Sequence, residues 1–318
     1  MELIFSGWFQ ILTRHQLKPK GLHMFKKILL AINPSPLCQC AADAAFNLSR
    51  QLEAELIIFH ACNLPSHSWL DKNVILEPDK LNHIKNKIAD YYGDKLDDLP
   101  QYSIQVAPGV VHEEILHAAR REKADLIIMG PHSVAEEETR NQMWGMLSST
   151  VQKVSQASFF PLMTVSQEPS SALPSRIVFA TDFSTPSRSA LNFACRMTRA
   201  FNAHLHVFHV LDMGLCYPNP AYYQNDMSEF IQKSLKKREW EYTPLLKDIS
   251  YSFEAWEGTP YVEILKFARW HKADAIIMAH HSRKVDSRSA VIGATASQVA
   301  LTPSCPTFII NYKVESCT

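Results

Sequence analysis

Arg176-Ile177-Val178-Phe179-Ala180-Thr181-Asp182-Phe183-Ser184 is the stretch whose reading decides the fold. Ile177 to Ala180 form a short apolar run, as in a parallel strand covered on both faces. Ser184 is a good helix N-cap, and Pro186 suits a first helical turn. The stretch therefore predicts a buried strand that stops at a polar pair and turns straight into a helix. Thr181 and Asp182 fall at the carboxyl end of that strand, where open α/β sheets bind ligands.

The same pattern occurs 149 residues earlier, where Lys27-Ile28-Leu29-Leu30-Ala31-Ile32-Asn33 aligns with Arg176 to Asp182 (27 to 176). Glu53 to His60 align with Asn202 to His209, Gly109 with Gly258, and Lys123 to Met129 with Lys272 to Met278, all at the same offset. Four segments in one register imply two copies of one domain, each large enough to bury its own core. The register then slips. Phe160-Pro161 aligns with Cys305-Pro306 at an offset of 145, so the loop after Met278 is four residues shorter than the loop after Met129.

Composition agrees with this partition. At 318 residues, two domains of about 150 residues each are expected. Apolar residues make up 46% and charged residues 20%, which fits globular domains and not disorder. Lys plus Arg balances Asp plus Glu at 32 each, giving no general attraction to nucleic acid or anionic membrane. No apolar run approaches the ~20 residues that span a bilayer. Seven irregularly spaced cysteines suggest reduced thiols and a cytoplasmic location. Cys38-Gln39-Cys40 reads as the first turn of a helix facing Ala41, Ala44 and Ala45, with a metal or redox role as the alternative.

Copy one reads as strands at 26–32, 55–61, 101–107, 124–130 and 161–166, with helices near 38–53, 77–98, 110–122 and 146–157. Copy two reads as strands at 176–181, 203–210, 250–256, 273–279 and 305–311. Its helices are expected at 185–201, within 220–246, at 259–271 and near 289–301. Strands alternating with long helices imply right-handed crossovers and a parallel sheet. Pro161 and Pro306 mark the last strand of each copy as an edge, and two such edges could pair with each other. The domains are expected at 24–167 and 176–318, joined by a short linker at 168–175. Residues 1–23 lie outside the repeat and read as a loose or untranslated extension, with a membrane-surface anchor as the alternative.

No Gly-x-Ser-x-Gly, His-Glu-x-x-His, Walker-type or dinucleotide glycine motif occurs in the sequence. Nine glycines in the whole chain argue against a strong phosphate cradle in both copies. His204 and His206 share one face of a strand and His209 lies on the other. A metal would need two of them and another ligand, and solvent-facing or hydrogen-bonded strand histidines are the default reading. His280-His281 follow the strand at 273–279 and could hydrogen-bond a ligand beside Asp182.

The chain resembles the universal stress protein family, in the tandem two-domain form found in bacteria. The resemblance rests on Ala180-Thr181-Asp182-Phe183-Ser184, then Ile276-Ile277-Met278-Ala279-His280-His281, then Gly293-Ala294-Thr295-Ala296 with Val299, and finally Cys305-Pro306-Thr307-Phe308-Ile309-Ile310. It covers nearly all of residues 24–311, twice. It implies two tandem Rossmann-like α/β domains of the adenine nucleotide alpha hydrolase-like type. Each would be a five-stranded parallel sheet of order 3-2-1-4-5 flanked by helices, and domains or subunits would pack through the last strand.

Some members bind ATP through Gly-x-x-Gly, about nine residues, then Gly-[Ser/Thr]. Here those positions fall on Ala279, Ser282, Gly293 and Ala294, with Thr295 next, and in copy one on Gly130, Ser133, Ser148 and Ser149. Each copy keeps one glycine of three. Glu136-Glu137-Glu138 crowd the loop of copy one, whereas Arg283, Lys284 and Arg288 populate that of copy two. Against a triphosphate, each exposed charge contributes roughly a kcal/mol or less, with signs that favour copy two.

The resemblance thus implies a cytoplasmic stress-response protein, not an enzyme, with weak ATP hydrolysis as the alternative. It implies a degenerate nucleotide-type pocket in domain two and a decayed one in domain one. Thr181, Asp182 and Val210 would face the nucleoside. Met278, Ala279, His280, His281, Ser282, Arg283, Gly293, Ala294 and Thr295 would form the floor and anion end. No catalytic residue and no metal are assigned, and no cofactor is certain, ATP or another adenine nucleotide being the candidate for domain two. The expected partners are the two domains themselves and a second copy of the chain. The alternatives are an ATP-binding protein that hydrolyses slowly, a pure protein-interaction module, and a binder of a lipid or acyl metabolite.

Overall fold

In the computed structural model of the chain, residues 24–33, 38–63, 78–131, 147–169, 173–212, 226–281, 292–301 and 303–311 are described. The first half comprises β1 (Lys27–Ala31), α1 (Gln39–Leu52), β2 (Glu55–Asn63), α2 (Pro78–Tyr92), β3 (Gln101–Gly109), α3 (Val111–Glu122), β4 (Leu126–Met129), α4 (Ser149–Ala157) and β5 (Leu162–Thr164). The second comprises β6 (Arg176–Thr181), α5 (Thr185–Phe201), β7 (His204–Leu211), α6 (Asp226–Tyr242), β8 (Ser250–Glu257), α7 (Pro260–Trp270), β9 (Ala275–Ala279), α8 (Ala294–Leu301) and β10 (Thr307–Ile310).

The ten strands form a single sheet of order β3-β2-β1-β4-β5-β10-β9-β6-β7-β8. Each half is therefore a parallel 3-2-1-4-5 sheet. The halves join where β5 and β10 pair antiparallel, with Met163 opposite Phe308. Each terminal strand is an edge of its own half only, because its partner covers it. Pro161 and Pro306 sit just before these strands, where a missing N–H costs nothing. Their carbonyls accept from the amides of Ile127 (3.0 Å) and Ile276 (2.9 Å).

The apolar runs form strands because helices cover both faces of the sheet. One core lies under α1, α2, α5 and α6, and the other under α3, α4, α7 and α8; each takes residues from both halves. Phe193 of α5 touches both Phe25 (ring centroids 6.4 Å apart) and Phe308 (5.9 Å), which ties the halves across the seam. Asn311 donates to the carbonyls of Ser155 and Gln156 at the end of α4.

The repeat extends to backbone detail. Asp125 accepts from the amides of Lys26 and Lys27 (2.7 and 2.9 Å), and Asp274 from those of Ser175 and Arg176 (2.9 and 3.0 Å). Glu53 and Asn202 end α1 and α5 in the left-handed conformation (φ 55° and 49°), and Lys123 and Lys272 follow α3 and α7 in the same way (φ 56° and 50°). The repeated Lys-Ala-Asp is thus a helix stop followed by a clamp on the start of the first strand.

Several elements are shorter than the sequence predicts. The helix expected over 77–98 ends at Tyr92, because Gly93 takes φ 41° and a 3-10 turn follows. The expected strand at 161–166 narrows to Leu162–Thr164. The helix expected from 146 starts at Ser149, where the Ser148 hydroxyl accepts from Val151 N (3.2 Å). The extension 1–23 and the charge runs at 136–138 and 283–288 lie outside the described residues. Among the described residues no helix is long and apolar enough to cross a membrane.

Candidate ligand-binding site

The strand that opens the second half leads into a locked turn. The Thr181 hydroxyl hydrogen-bonds Tyr242 Oη (2.9 Å) and accepts from Phe183 N (3.0 Å). Asp182 Oδ1 accepts from Ser184 N (3.0 Å) and from Ser187 Oγ (2.5 Å). Ser184 caps α5, its side chain accepting from Ser187 N (3.3 Å). Between these anchors Phe183 takes φ 60°, a conformation costing a side-chain-bearing residue about 1–2 kcal/mol. Its ring is caged by His209 (4.7 Å), Tyr242 (5.3 Å) and Phe253 (6.1 Å), with the Arg238 guanidinium over it at 5.7 Å. The aromatic packing holds the strained turn and fixes where the Asp182 carboxylate points. In copy one the matching position is Pro34, outside the described residues, and a proline ring does not permit a positive φ.

Beside this turn lies a cavity of about 390 Å³ at the carboxyl ends of β6, β7 and β9. Its lining is apolar at Ala180, Phe208, Val210, Ile264, Met278 and Ala296 and polar at Thr181, Asp182, Ser187, Asp212, His280, His281 and Thr295. Of the residues singled out in the sequence, Thr181, Asp182, Val210, Met278, Ala279, His280, His281, Gly293, Ala294 and Thr295 all border it. Ser282 and Arg283 fall outside the described residues. Sequence reasoning missed Asp212, Ser187, Pro260 and Ile264. Asp212 directly follows β7, so the strand-end rule that finds Asp182 also finds it.

His280 and His281 are buried, with their Nδ1 atoms 3.0 Å apart. One nitrogen must donate and the other accept, so the two rings carry different tautomers and are not both charged. Burial pushes the His281 imidazole below its usual pKa, with Asp182 pulling the other way. Gly293 donates to the His280 carbonyl (2.9 Å) and accepts from Ser297 N (2.9 Å), which places the start of α8 at the cavity wall. A Cβ on Gly293 would meet only ordinary contacts, 3.6 Å to the His280 carbonyl oxygen. The protein itself therefore does not demand glycine there. A helix N-terminus beside an apolar slot suits a ligand with a flat apolar body and an anionic end. In the first half, the corresponding strand ends contribute Asn33 and His60 to an open groove shared with Lys87 and Tyr91 of α2.

Residues 24–166 and 174–311 each match the sequence model of the universal stress protein family. A universal stress protein of Methanocaldococcus jannaschii is 29% identical over 145 residues, covering 43% of this chain and 81% of that protein. A universal stress protein of Bacillus subtilis is 28% identical over 152 residues, covering 45% of this chain and 99% of that protein. Among solved structures, a universal stress protein from Archaeoglobus fulgidus superposes with a TM-score of 0.64 at 18% identity, covering 91% of this chain and 96% of its own. A protein of unknown function from Pseudomonas aeruginosa gives 0.58 at 17% identity, covering 91% and 93%.

Proposed function

The chain belongs to the universal stress protein family, and from that premise we propose that it acts by binding, through one nucleotide-type pocket in its second half. The adenine base would lie on the apolar lining at Val210, Ile264 and Met278. Asp182 and Asp212 would face the ribose, and the phosphates would approach the start of α8. The observation that carries this reading is the cavity itself, lined by both apolar and polar side chains and with a helix start at its wall. The first half is read as a structural partner, since Asn33 stands where Asp182 stands in the second. The five described cysteines are unbonded thiols, which supports a reducing, cytoplasmic setting.

The test is a thermal shift with Mg·ATP. A ligand at 100 times its Kd adds about 2.7 kcal/mol to the stability of the folded state, a plain rise in Tm. Gly293→Ala is the diagnostic variant. Its Cβ meets only ordinary contacts with the protein, 3.6 Å to the nearest atom, but would stand in the way of close approach to the helix start, so Tm without ligand should stay near the wild-type value while the ATP-induced shift shrinks. Asp182→Ala is less clean, because it also removes the acceptor for Ser184 N and Ser187 Oγ. Absence of any shift at millimolar ATP would sink the nucleotide reading.

A further inference from the structure

We propose that the second half carries a transition-metal site formed by His206 of β7, Glu254 of β8 and His271 at the end of α7. One ligand atom from each lies within 4.8 Å of the other two. The His271 Nε2 to Glu254 Oε1 separation is 3.6 Å, too long for a hydrogen bond. It is close to the roughly 3.4 Å between two ligands that each stand ~2.1 Å from a tetrahedral ion. The His206 and His271 rings lie 4.5 Å apart.

The surroundings accommodate the tautomer that binding requires. His206 Nδ1 is 2.9 Å from Ser252 Oγ, which is 3.3 Å from His204 Nε2; His204 Nδ1 is in turn 2.7 Å from Ser250 Oγ. With His206 donating its Nδ1–H to Ser252, Ser252 donating to His204 Nε2 and His204 donating its Nδ1–H to Ser250, every link is satisfied and the His206 Nε2 lone pair is left for a metal; the reverse proton order satisfies the same links in the absence of an ion. An orienting partner on the second ring nitrogen is the usual support of a metal-bound histidine. Phe267 backs both rings, at 5.8 Å from His206 and 4.2 Å from His271.

The duplication supplies an internal control. At the 149-residue offset the three positions are Ile57, Gln105 and Glu122, with Gln105 Nε2 donating directly to Glu122 (3.2 Å). The fold itself therefore does not call for this cluster. Two imidazoles and one carboxylate suit Zn²⁺ and its neighbours, not Mg²⁺ or Ca²⁺. Three protein ligands leave a fourth position for water. The ion would tie β8, an outer strand of the sheet, to β7 and α7. The site lies on the α7 face of β7, one strand residue pair before the Phe208 that lines the cavity, and does not depend on the nucleotide reading.

The experiment is calorimetric titration of the full chain, stripped with a chelator, with ZnCl₂, alongside MgCl₂ and CaCl₂. One tight equivalent of Zn²⁺ is expected, with a rise in Tm and no response to the other two ions. His271→Gln and Glu254→Gln change partly exposed side chains and should fold, as circular dichroism would verify. Each should weaken the tight binding by at least about tenfold and abolish the four-coordinate visible absorption of bound Co²⁺. Glu122→Gln, at the matching position of the first half, should leave both readouts unchanged. No stoichiometric Zn²⁺ binding, binding equal to wild type in His271→Gln and Glu254→Gln, or equal loss in Glu122→Gln would each overturn the proposal.

Discussion

His209 and His60 do the same work in the two halves. Each gives an Nδ1–H to a carbonyl where the first strand of its half runs out, Thr181 (the last residue of β6) at 2.7 Å and Ile32 (one residue past β1) at 2.9 Å. A carbonyl only accepts, so the bond fixes the tautomer. Burial lowers the His209 pKa below the ordinary histidine value, while the Thr181 carbonyl and Asp182 offset part of the shift. A histidine with a lowered folded pKa takes up its proton in the unfolded chain first. Stability should therefore fall as pH drops below about 6.5 and level off only below the folded pKa. His209→Asn keeps an N–H donor but does not titrate there. Urea midpoints measured from pH 7.5 to 5 should converge as the wild type loses more stability than the variant; parallel curves would refute the assignment. At this scale the sequence revealed what obeys a local rule. Asp182 stands at a strand end, and Ser184 precedes a helix. The bond from Tyr242 to Thr181 was not legible, because the side chain that reaches Thr181 from α6 is set by packing 61 residues along the chain.

The clamp made by Asp274 shows how an element is fastened. Its carboxylate accepts from the amides of Ser175 and Arg176 and from the Ser175 hydroxyl (2.7 Å), and pairs with the Arg176 guanidinium (3.4 Å). Burial alone would raise its pKa, yet hydrogen bonds from Ser175 and Arg176 hold it below the ordinary aspartate value. Asp274→Ala leaves these donors at the start of β6 without their acceptor and should cost about 2–3 kcal/mol in chemical denaturation. A loss under 1 kcal/mol would mean that water replaces the carboxylate easily. The strands and most helices were legible because apolar runs and helix stops repeat in register. Boundaries were less so, since they turn on single positions such as the φ of Gly93 and the capping hydroxyl of Ser148. The pairing of the two terminal strands was legible from Pro161 and Pro306, but its antiparallel register was beyond local pattern, because it joins residues as far apart as Thr164 and Thr307.

At the scale of the whole molecule, the seam is a local two-fold axis. At the 145-residue offset Leu162, Met163 and Thr164 correspond to Thr307, Phe308 and Ile309, and the observed pairs are Thr164 with Thr307, Met163 with Phe308 and Leu162 with Ile309. The pairing is symmetric about Met163 and Phe308, the arrangement that two copies of one domain reach by an isologous contact. The tandem chain thus covers within itself two strand edges that would otherwise recruit other chains. Residues 24–169 expressed alone would expose β5 and the apolar surface that meets Phe193. That fragment should form a dimer with Met163 facing its own symmetry mate, detected as doubled mass by light scattering at micromolar concentration. Met163→Arg in the fragment would set two like charges against each other on the axis and should return it to a monomer. A wild-type fragment that stays monomeric would show that the seam depends on side chains particular to the second half, such as Phe308 and Asn311, and not on the symmetry of the strands.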